Sequence, residues 1–417
     1  MNFIPTTGFS VSCVKKAVPL LLLVALLLLS SCAGKIVRET EAKPASPPAE
    51  KPATSLPAWL GNSSRTFYGT GPWSADPLEV VWSFETTGIS GRLHKDPWGG
   101  SSWPGQPSVD ERHVYFGSAD GRLYCLDVRD GSLVWSFQTE DSLKATPTLV
   151  GNRLIASGLD HYIYCINKND GSLIWKFKTG FEVDCSSAVI DGRVYFGGED
   201  GFFYCLNLED GTLVYKTEWL GSMEGSFSAV ERRIYIGTEQ GNLFCLNMAD
   251  GSTIWKARIG ADSDSTPAVA NGLVYTAAEN GFVYCFRQTD GEPVWKFRAA
   301  RATGRNHDER TGFWASPIVA NGRVHIGSSN GTMYCLTADK GEVVWQFKAH
   351  GAIWGTAPLV DGRLVFGDKA GWLHTISAAD GQPIGELKIG DNINATPAVL
   401  AGRIYIGAFN GKLYCLK

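Results

Sequence analysis

The sequence predicts an all-β fold built from repeats, and three observations carry that prediction. Cysteines recur at Cys125, Cys165, Cys205, Cys245, Cys285, Cys335 and Cys415, at intervals of 40 residues apart from 50 between Cys285 and Cys335, with Thr375 at the step that lacks one. Pairs such as Asp130-Gly131 and Asp170-Gly171 punctuate the same interval, and glycine reaches 48 of 417 residues. Between them lie short runs rich in Val, Ile, Tyr and Phe, the residue types that suit a pleated, half-buried strand. Four short strands per unit of roughly 40 residues is the pattern of propeller blades. Eight units can be counted, so the expected architecture is an eight-bladed β-propeller of four-stranded antiparallel blades.

One unit illustrates the reading. Thr146-Pro147-Thr148-Leu149-Val150 begins the first strand, Asn152-Arg153 turns it, and Leu154 to Ser157 returns. Tyr162 to Ile166 is the third strand, and Leu173 to Phe177 follows Asp170-Gly171 as the fourth. Asp-Gly and Asn-Gly pairs mark tight turns because such turns need positive φ. Glycine recurs at Gly121, Gly201, Gly241, Gly281, Gly331, Gly371 and Gly411, and His161 breaks the set. The eighth unit ends at Lys417 after its third strand, while Val81-Trp82-Ser83-Phe84 repeats Val134-Trp135-Ser136-Phe137 letter for letter. The N-terminal strand is therefore expected to complete the last blade, closing the ring by pairing of N- and C-terminal strands without an open seam.

Composition excludes some functions. Lys and Arg number 38 against 42 Asp and Glu, a net charge of −4, and no basic run is present to grip nucleic-acid phosphates. Lys15-Lys16 precede the thirteen-residue apolar run Ala17 to Leu29, too short to span a bilayer and read as a secretory signal. Leu29-Ser30-Ser31-Cys32 resembles the bacterial lipobox, which implies cleavage before Cys32 and acylation of its thiol; Ala33, in place of Asp, is compatible with outer-membrane sorting. The expected domains are a signal peptide over 1–31, an acylated Cys32 with a Pro-rich tether over 32–60, and a propeller over 61–417. Pro44, Pro47, Pro48, Pro52 and Pro57 favour extended backbone in the tether.

The repeated residues read as structural. Neighbouring blades hold equivalent cysteines beyond disulfide reach of about 7 Å, and no Cys-x-x-Cys pair occurs, so the thiols are expected to be reduced and buried. Cys13, Cys32 and Cys185 stand outside the beat. Trp82, Trp135, Trp175, Trp255, Trp295 and Trp345 also follow the repeat, with Tyr215 and Gly385 substituting, and are expected to wedge between blades.

Segments such as Gly121-Arg-Leu-Tyr-Cys125-Leu-Asp-Val-Arg-Asp-Gly-Ser-Leu-Val-Trp135 resemble the repeat of PQQ-type, quinoprotein-like β-propellers, over about residues 80–417. The resemblance implies two branches: quinone-dependent dehydrogenases using PQQ with Ca²⁺, and non-enzymatic BamB-like lipoproteins of outer-membrane β-barrel assembly. The adjacent cysteines common in the dehydrogenases are missing here, and the chain has no elaborate loops. A scaffold without cofactor, anchored at the periplasmic face of the outer membrane of a Gram-negative-type bacterium and binding a periplasmic or outer-membrane protein, is the expectation. A PQQ/Ca²⁺ dehydrogenase and a small-molecule-binding sensor are the alternatives.

Two sets of candidate residues follow. The first strand of a blade lines a propeller's channel; two residues before Thr146 and its equivalents, on the same strand face, stand Pro104, Lys144, Asp184, Glu224, Asp264, Trp314, Trp354 and Asn394. This ring could hold a ligand, with tryptophans stacking on a flat molecule and carboxylates on a cation, or be a solvated rim. No catalytic residue is assigned. Two irregular segments supply candidate partner-interface residues: Trp98 and Trp103 between Gly91 and Gly105, and Arg301, Arg305, His307, Arg310 and Phe313 before Trp314, residue types that dominate interfaces.

Overall fold

A computed structural model describes residues 54–66, 68–74, 77–87, 105–300 and 312–417. Eight antiparallel sheets of four strands follow one another along the chain. Blade 2 is typical: Thr148–Val150, Arg153–Ser157, Tyr162–Asn167 and Leu173–Lys178 run from inner to outer strand. Blade 8 takes three strands from the C-terminus and its outer strand, Val80–Glu85, from the other end of the described body. Trp82 pairs with Cys415, Phe84 with Leu413 and Glu85 with Lys412, as the repeated Val-Trp-Ser-Phe motif anticipates. The inner strands of blades 1 and 8 lie side by side, so the ring is closed.

The turn glycines have two jobs at once. Gly131, Gly171, Gly211, Gly251, Gly291, Gly341 and Gly381 all hold φ between +70° and +75°, which L side chains avoid. A Cβ at each would come within 2.5 to 2.7 Å of the aromatic ring from the preceding blade: Trp82, Trp135, Trp175, Tyr215, Trp255, Trp295 and Trp345 in turn. The same rings donate to a carbonyl of the turn they cover. Trp82 Nε1 to Val128 O, Trp175 Nε1 to Leu208 O and Trp345 Nε1 to Ala378 O measure 3.1, 2.9 and 3.2 Å, and the Tyr215 hydroxyl reaches Met248 O at 2.9 Å. Each wedge is thus a bolt between consecutive blades. His161 takes the positive φ expected of glycine, at +70°.

Each aromatic wedge sits across from the cysteine of its own blade: Cys125 with Trp135, Cys165 with Trp175, Cys205 with Tyr215. A bulge follows the pair in each case. All eight described cysteines, from Cys125 to Cys415 and including Cys185, are unbridged and buried. Burial pushes the Cys165 thiol up to about 11 and the Cys285 thiol up to about 12.

The segment expected to be the end of the tether departs from that reading. Leu56 exchanges both backbone hydrogen bonds with Val109 of blade 1, and Trp59 and Leu60 are buried. From there the chain crosses the channel as a strap. Leu60 N–H donates to Gln106 Oε1 and Trp59 Nε1 to Thr266 Oγ1 on blade 5. Arg65, almost wholly buried, fixes the far end by donating to Phe227 O and Trp59 O at 2.9 Å and to Ser186 O at 3.3 Å. Non-repeating side chains with apolar or multidentate reach plug the ring, so the propeller body begins by Leu56.

Two stability measurements test this account. Trp175→Phe leaves the Leu208 carbonyl without its donor and is expected to lower unfolding stability by about 1–3 kcal/mol in urea titrations; Gly211→Ala, forced into positive φ against the same ring, is expected to cost at least about 2 kcal/mol. Unchanged midpoints would show that the bolts are not coupling the blades. Arg65→Met removes charge-assisted bonds and is expected to cost about 3 kcal/mol, with faster proteolytic cutting within residues 54–66 as the local signature.

Candidate functional site

The inner strands are stitched to one another where the channel narrows. At these five steps a backbone N–H of one blade donates to a hydroxyl of the next: Thr146 N–H to Ser186 Oγ, Ser186 N–H to Ser226 Oγ, Thr266 N–H to Ser316 Oγ, Ser316 N–H to Thr356 Oγ1 and Thr356 N–H to Thr396 Oγ1, all at 2.9–3.0 Å. At the step between blades 4 and 5, Thr266 Oγ1 instead accepts from Trp59 of the strap. Period-two alternation then turns the residues two positions earlier toward the channel.

Lys144, Asp184, Glu224, Asp264, Trp314, Trp354 and Asn394 all line one cavity of about 60 Å³, floored by Trp59. Pro104 lies outside the described residues, as do Cys32, Trp98, Trp103, Arg301, Arg305, His307 and Arg310. Phe313 requires a correction. It was expected at an exposed interface but is fully buried, its ring 6.3 Å from that of Tyr334 in an apolar cluster with Ala277 and Ile326. An apolar ring beside the blade 5–6 seam gains more from burial than from solvent contact.

The cavity is electrically lopsided. Blades 3 to 5 bring Asp184, Glu224 and Asp264 from the segments leading into their inner strands, and three glutamates from the turns between second and third strands join them: Glu199, Glu239 and Glu279. The backbone fixes these turns against the incoming links, with Glu199 N–H donating to Glu182 O and Glu279 N–H to Asp262 O. Carboxylate oxygens of Glu199, Glu224 and Glu239 lie within 4.8 Å of one another. Sequence inspection of the channel ring alone overlooks these three turn glutamates. Their signal is present in Glu199-Asp-Gly, Glu239-Gln-Gly and Glu279-Asn-Gly, where the residue ahead of the turn pair is acidic in three consecutive repeats and Ala119, Leu159, Ser329, Lys369 and Phe409 elsewhere.

Burial and mutual repulsion push these acids up. Glu199 rises to about 9, through burial first and then the charges of Asp184 and Glu224. Glu224 rises to about 8 through burial and then the charges of Asp184 and Glu239, and Asp262 to about 6 through burial and Glu279. Asp264 stands well above the usual carboxylate range. Lys144 offsets part of the charge from one side, its ammonium 3.5 Å from Asp184.

Across the channel the tryptophans take a different arrangement from the one expected. Trp314 and Trp354 stack on each other, centroids 4.4 Å apart and planes 9° from parallel. The Lys369 ammonium sits 3.7 Å from the Trp354 centroid. Two groups so close to one ring occupy its opposite faces, so Trp354 has no face left for a flat ligand. The carboxylates are suitable donors for a hard cation, whereas a flat, polyanionic quinone would find both faces of Trp354 covered and would face an acidic wall.

Overlapping matches to the family model described as "Outer membrane protein assembly factor BamB" cover residues 74–216, 159–251, 199–311 and 250–417. The chain belongs to that family. Comparison with curated protein sequences gives no match. Among solved structures, BamB from Moraxella catarrhalis aligns with a TM-score of 0.64 at 16% identity, covering 82% of this chain and 98% of that one. A europium-containing methanol dehydrogenase aligns at 0.72 and 14% identity, over 87% and 98%. The quinohemoprotein alcohol dehydrogenase from Comamonas testosteroni aligns at 0.69 and 14%, over 87% and 80%. At these identities the structural likeness speaks for the propeller fold, which enzymes and non-enzymes share.

The titration of the acidic wall gives a stability test. Glu199 and Glu224 ordinarily titrate near 4.5 and in the folded protein near 9 and 8. Between those values the folded state holds protons that the unfolded chain has released, so stability falls as pH rises from about 5 to about 9. Glu224→Gln is expected to flatten that slope and raise the urea midpoint at the alkaline end. A midpoint that climbs over the same range, equally in both proteins, would contradict the assigned shifts.

Proposed function

We propose that this protein is a non-enzymatic scaffold that holds protein partners during outer-membrane β-barrel assembly, tethered to the periplasmic face of the outer membrane through Cys32. The observation that carries the reading is the family match, which runs through all eight blades rather than one stretch of repeats. The geometry of the channel supports it. A cavity of about 60 Å³ with Trp59 in its lining, and a Trp354 covered on both faces, suits a scaffold better than a site for a flat cofactor with a substrate beside it.

The outer wall also favours protein contact. Most blades end in an edge strand whose first residues are exposed and apolar, as at Leu133 and Val134, Leu173 and Ile174, or Val343 and Val344. Repeated exposed apolar pairs beside unpaired strand edges form the kind of surface to which partners dock. Among the described residues no helix is long and apolar enough to cross a membrane, so attachment in this reading depends on the N-terminal acyl group.

A pull-down from detergent-solubilised membranes tests the scaffold. Recovery of β-barrel assembly components is expected, and recovery of none would remove the reading. Titration with PQQ and Ca²⁺ is expected to give no saturable absorbance change and no dye reduction with alcohols or sugars; saturable binding lost on Trp354→Ala would instead promote the dehydrogenase or sensor alternative.

A further inference from the structure

The acidic wall of the channel mouth is costly to keep, and its surroundings indicate what it is kept for. Three carboxylates within 4.8 Å of one another repel when ionised. Opposite them, four blades round the ring from Glu224, stands Asn394. Its side chain is 1% exposed and lines the same cavity, yet among the described residues neither its amide oxygen nor its amide nitrogen has a hydrogen-bond partner. A buried amide left unpaired at both atoms is rare and unfavourable. Its needs are specific: an acceptor for its N–H groups and a donor for its oxygen. A bare metal ion offers no acceptor. A peptide group offers both.

We infer that the mouth is a receptor for a single basic side chain, arginine above all, presented by an extended segment of a partner protein. A guanidinium carries five N–H donors in a planar fork and can satisfy several carboxylates together, while the peptide group behind it answers Asn394. The size agrees: about 60 Å³ holds a few waters or one planar head group, not a folded element. Trp59 lines the same cavity and is anchored to Thr266 of blade 5. The rim beside the acids carries two exposed aromatics, Phe181 at 46% and Trp219 at 60%. Trp219 packs on Gly201, in the same turn as Glu199. Exposed aromatics next to a cation site are apt for gripping the flanking chain. The inference rests on the protein-binding reading above and names the chemistry of one contact in it.

Calorimetric titration of the full chain in detergent with acetyl-tetra-arginine amide tests it, with acetyl-tetra-glutamate amide as control. Expected are saturable binding of the arginine peptide, weaker at higher salt, about tenfold weaker in Glu224→Gln and several-fold weaker in Asn394→Ala, and no binding of the glutamate peptide. Glu224→Gln loses a repulsive charge, so a melting temperature at or above that of the parent shows that the loss is not misfolding. Equal affinity in parent and Glu224→Gln overturns the receptor, as does saturable calcium uptake without peptide binding. If both proteins recover assembly components equally while neither binds the arginine peptide, the receptor fails and the scaffold stands. If the peptide binds as expected and no assembly component is recovered, the receptor is supported and the scaffold's proposed setting fails.

Discussion

The ring depends on one contact made over and over: an indole from one blade's outer strand laid against the turn glycine of the next, with its N–H on that turn's carbonyl. Neither half works alone. The turn needs positive φ, which selects glycine, and glycine's bare Cα is what lets the ring approach; the ring then shields the turn carbonyl from water and replaces the lost hydrogen bond itself. A neutral bond of this kind contributes only about 1 kcal/mol net. Repeated around a closed circle it matters more, because every blade except 7 and 8, which share the one seam without a ring, is bolted on both sides. Trp82 makes the same contact onto blade 1 from a strand far in sequence from the rest of blade 8, so closure uses the joint found at every other seam but that between blades 7 and 8.

The exception in blade 7 shows that the cross-strand pair is a unit. Thr375 replaces the cysteine and Gly385 replaces the tryptophan opposite it. With no ring to cover the site, a small apolar thiol has nothing to pack under; the threonine hydroxyl donates instead to the Gly385 carbonyl at 3.1 Å. After the Thr375 hydroxyl at 3.2 Å, Leu78, from the segment entering the outer strand of blade 8, comes next to the space above Gly385 at 3.7 Å. The vacancy is thus filled from outside the repeat, at the point where the chain's first strand must be threaded into place. Cysteine is retained elsewhere for its size and apolarity, consistent with thiols that burial holds protonated.

What repeats could be read from the sequence, and what does not repeat could not. The phase of Cys and Trp located the strands, the closure and the seven channel-facing residues, because a period of 40 transfers one assignment to every blade. Leu56 to Arg65 carries no such phase, and its Pro-rich approach has the composition of a linker; only the buried Arg65, with its several carbonyl partners, reveals it as a plug. The stacking of Trp314 on Trp354 was equally hidden, since adjacency around a ring does not say whether two rings face a ligand or each other. Phe313 misled for a related reason: an aromatic beside a long irregular segment has no periodicity to show which way it points. Glu199, Glu239 and Glu279 were within reach, as three consecutive repeats break the same position in the same way.

That concentration of breaks is the argument for function. A propeller gains nothing in stability from placing acids at corresponding turn and strand positions of three consecutive blades. Their repulsion and burial favour the protonated forms and oppose the compact state near neutral pH. Elsewhere the chain is locally consistent: hydroxyls stitch inner strands, glycines take the positive φ, and apolar side chains fill the seams between blades. Where a sequence departs from its own repeat in the same way in three consecutive units, with no packing gain to explain it, something other than folding is being selected. Lys144 neutralises one edge of that quadrant and Lys369 is occupied over Trp354 on the far side. The acids of this quadrant are therefore held largely protonated in the free protein near neutral pH, and an arriving cation is what would draw out their ionised forms.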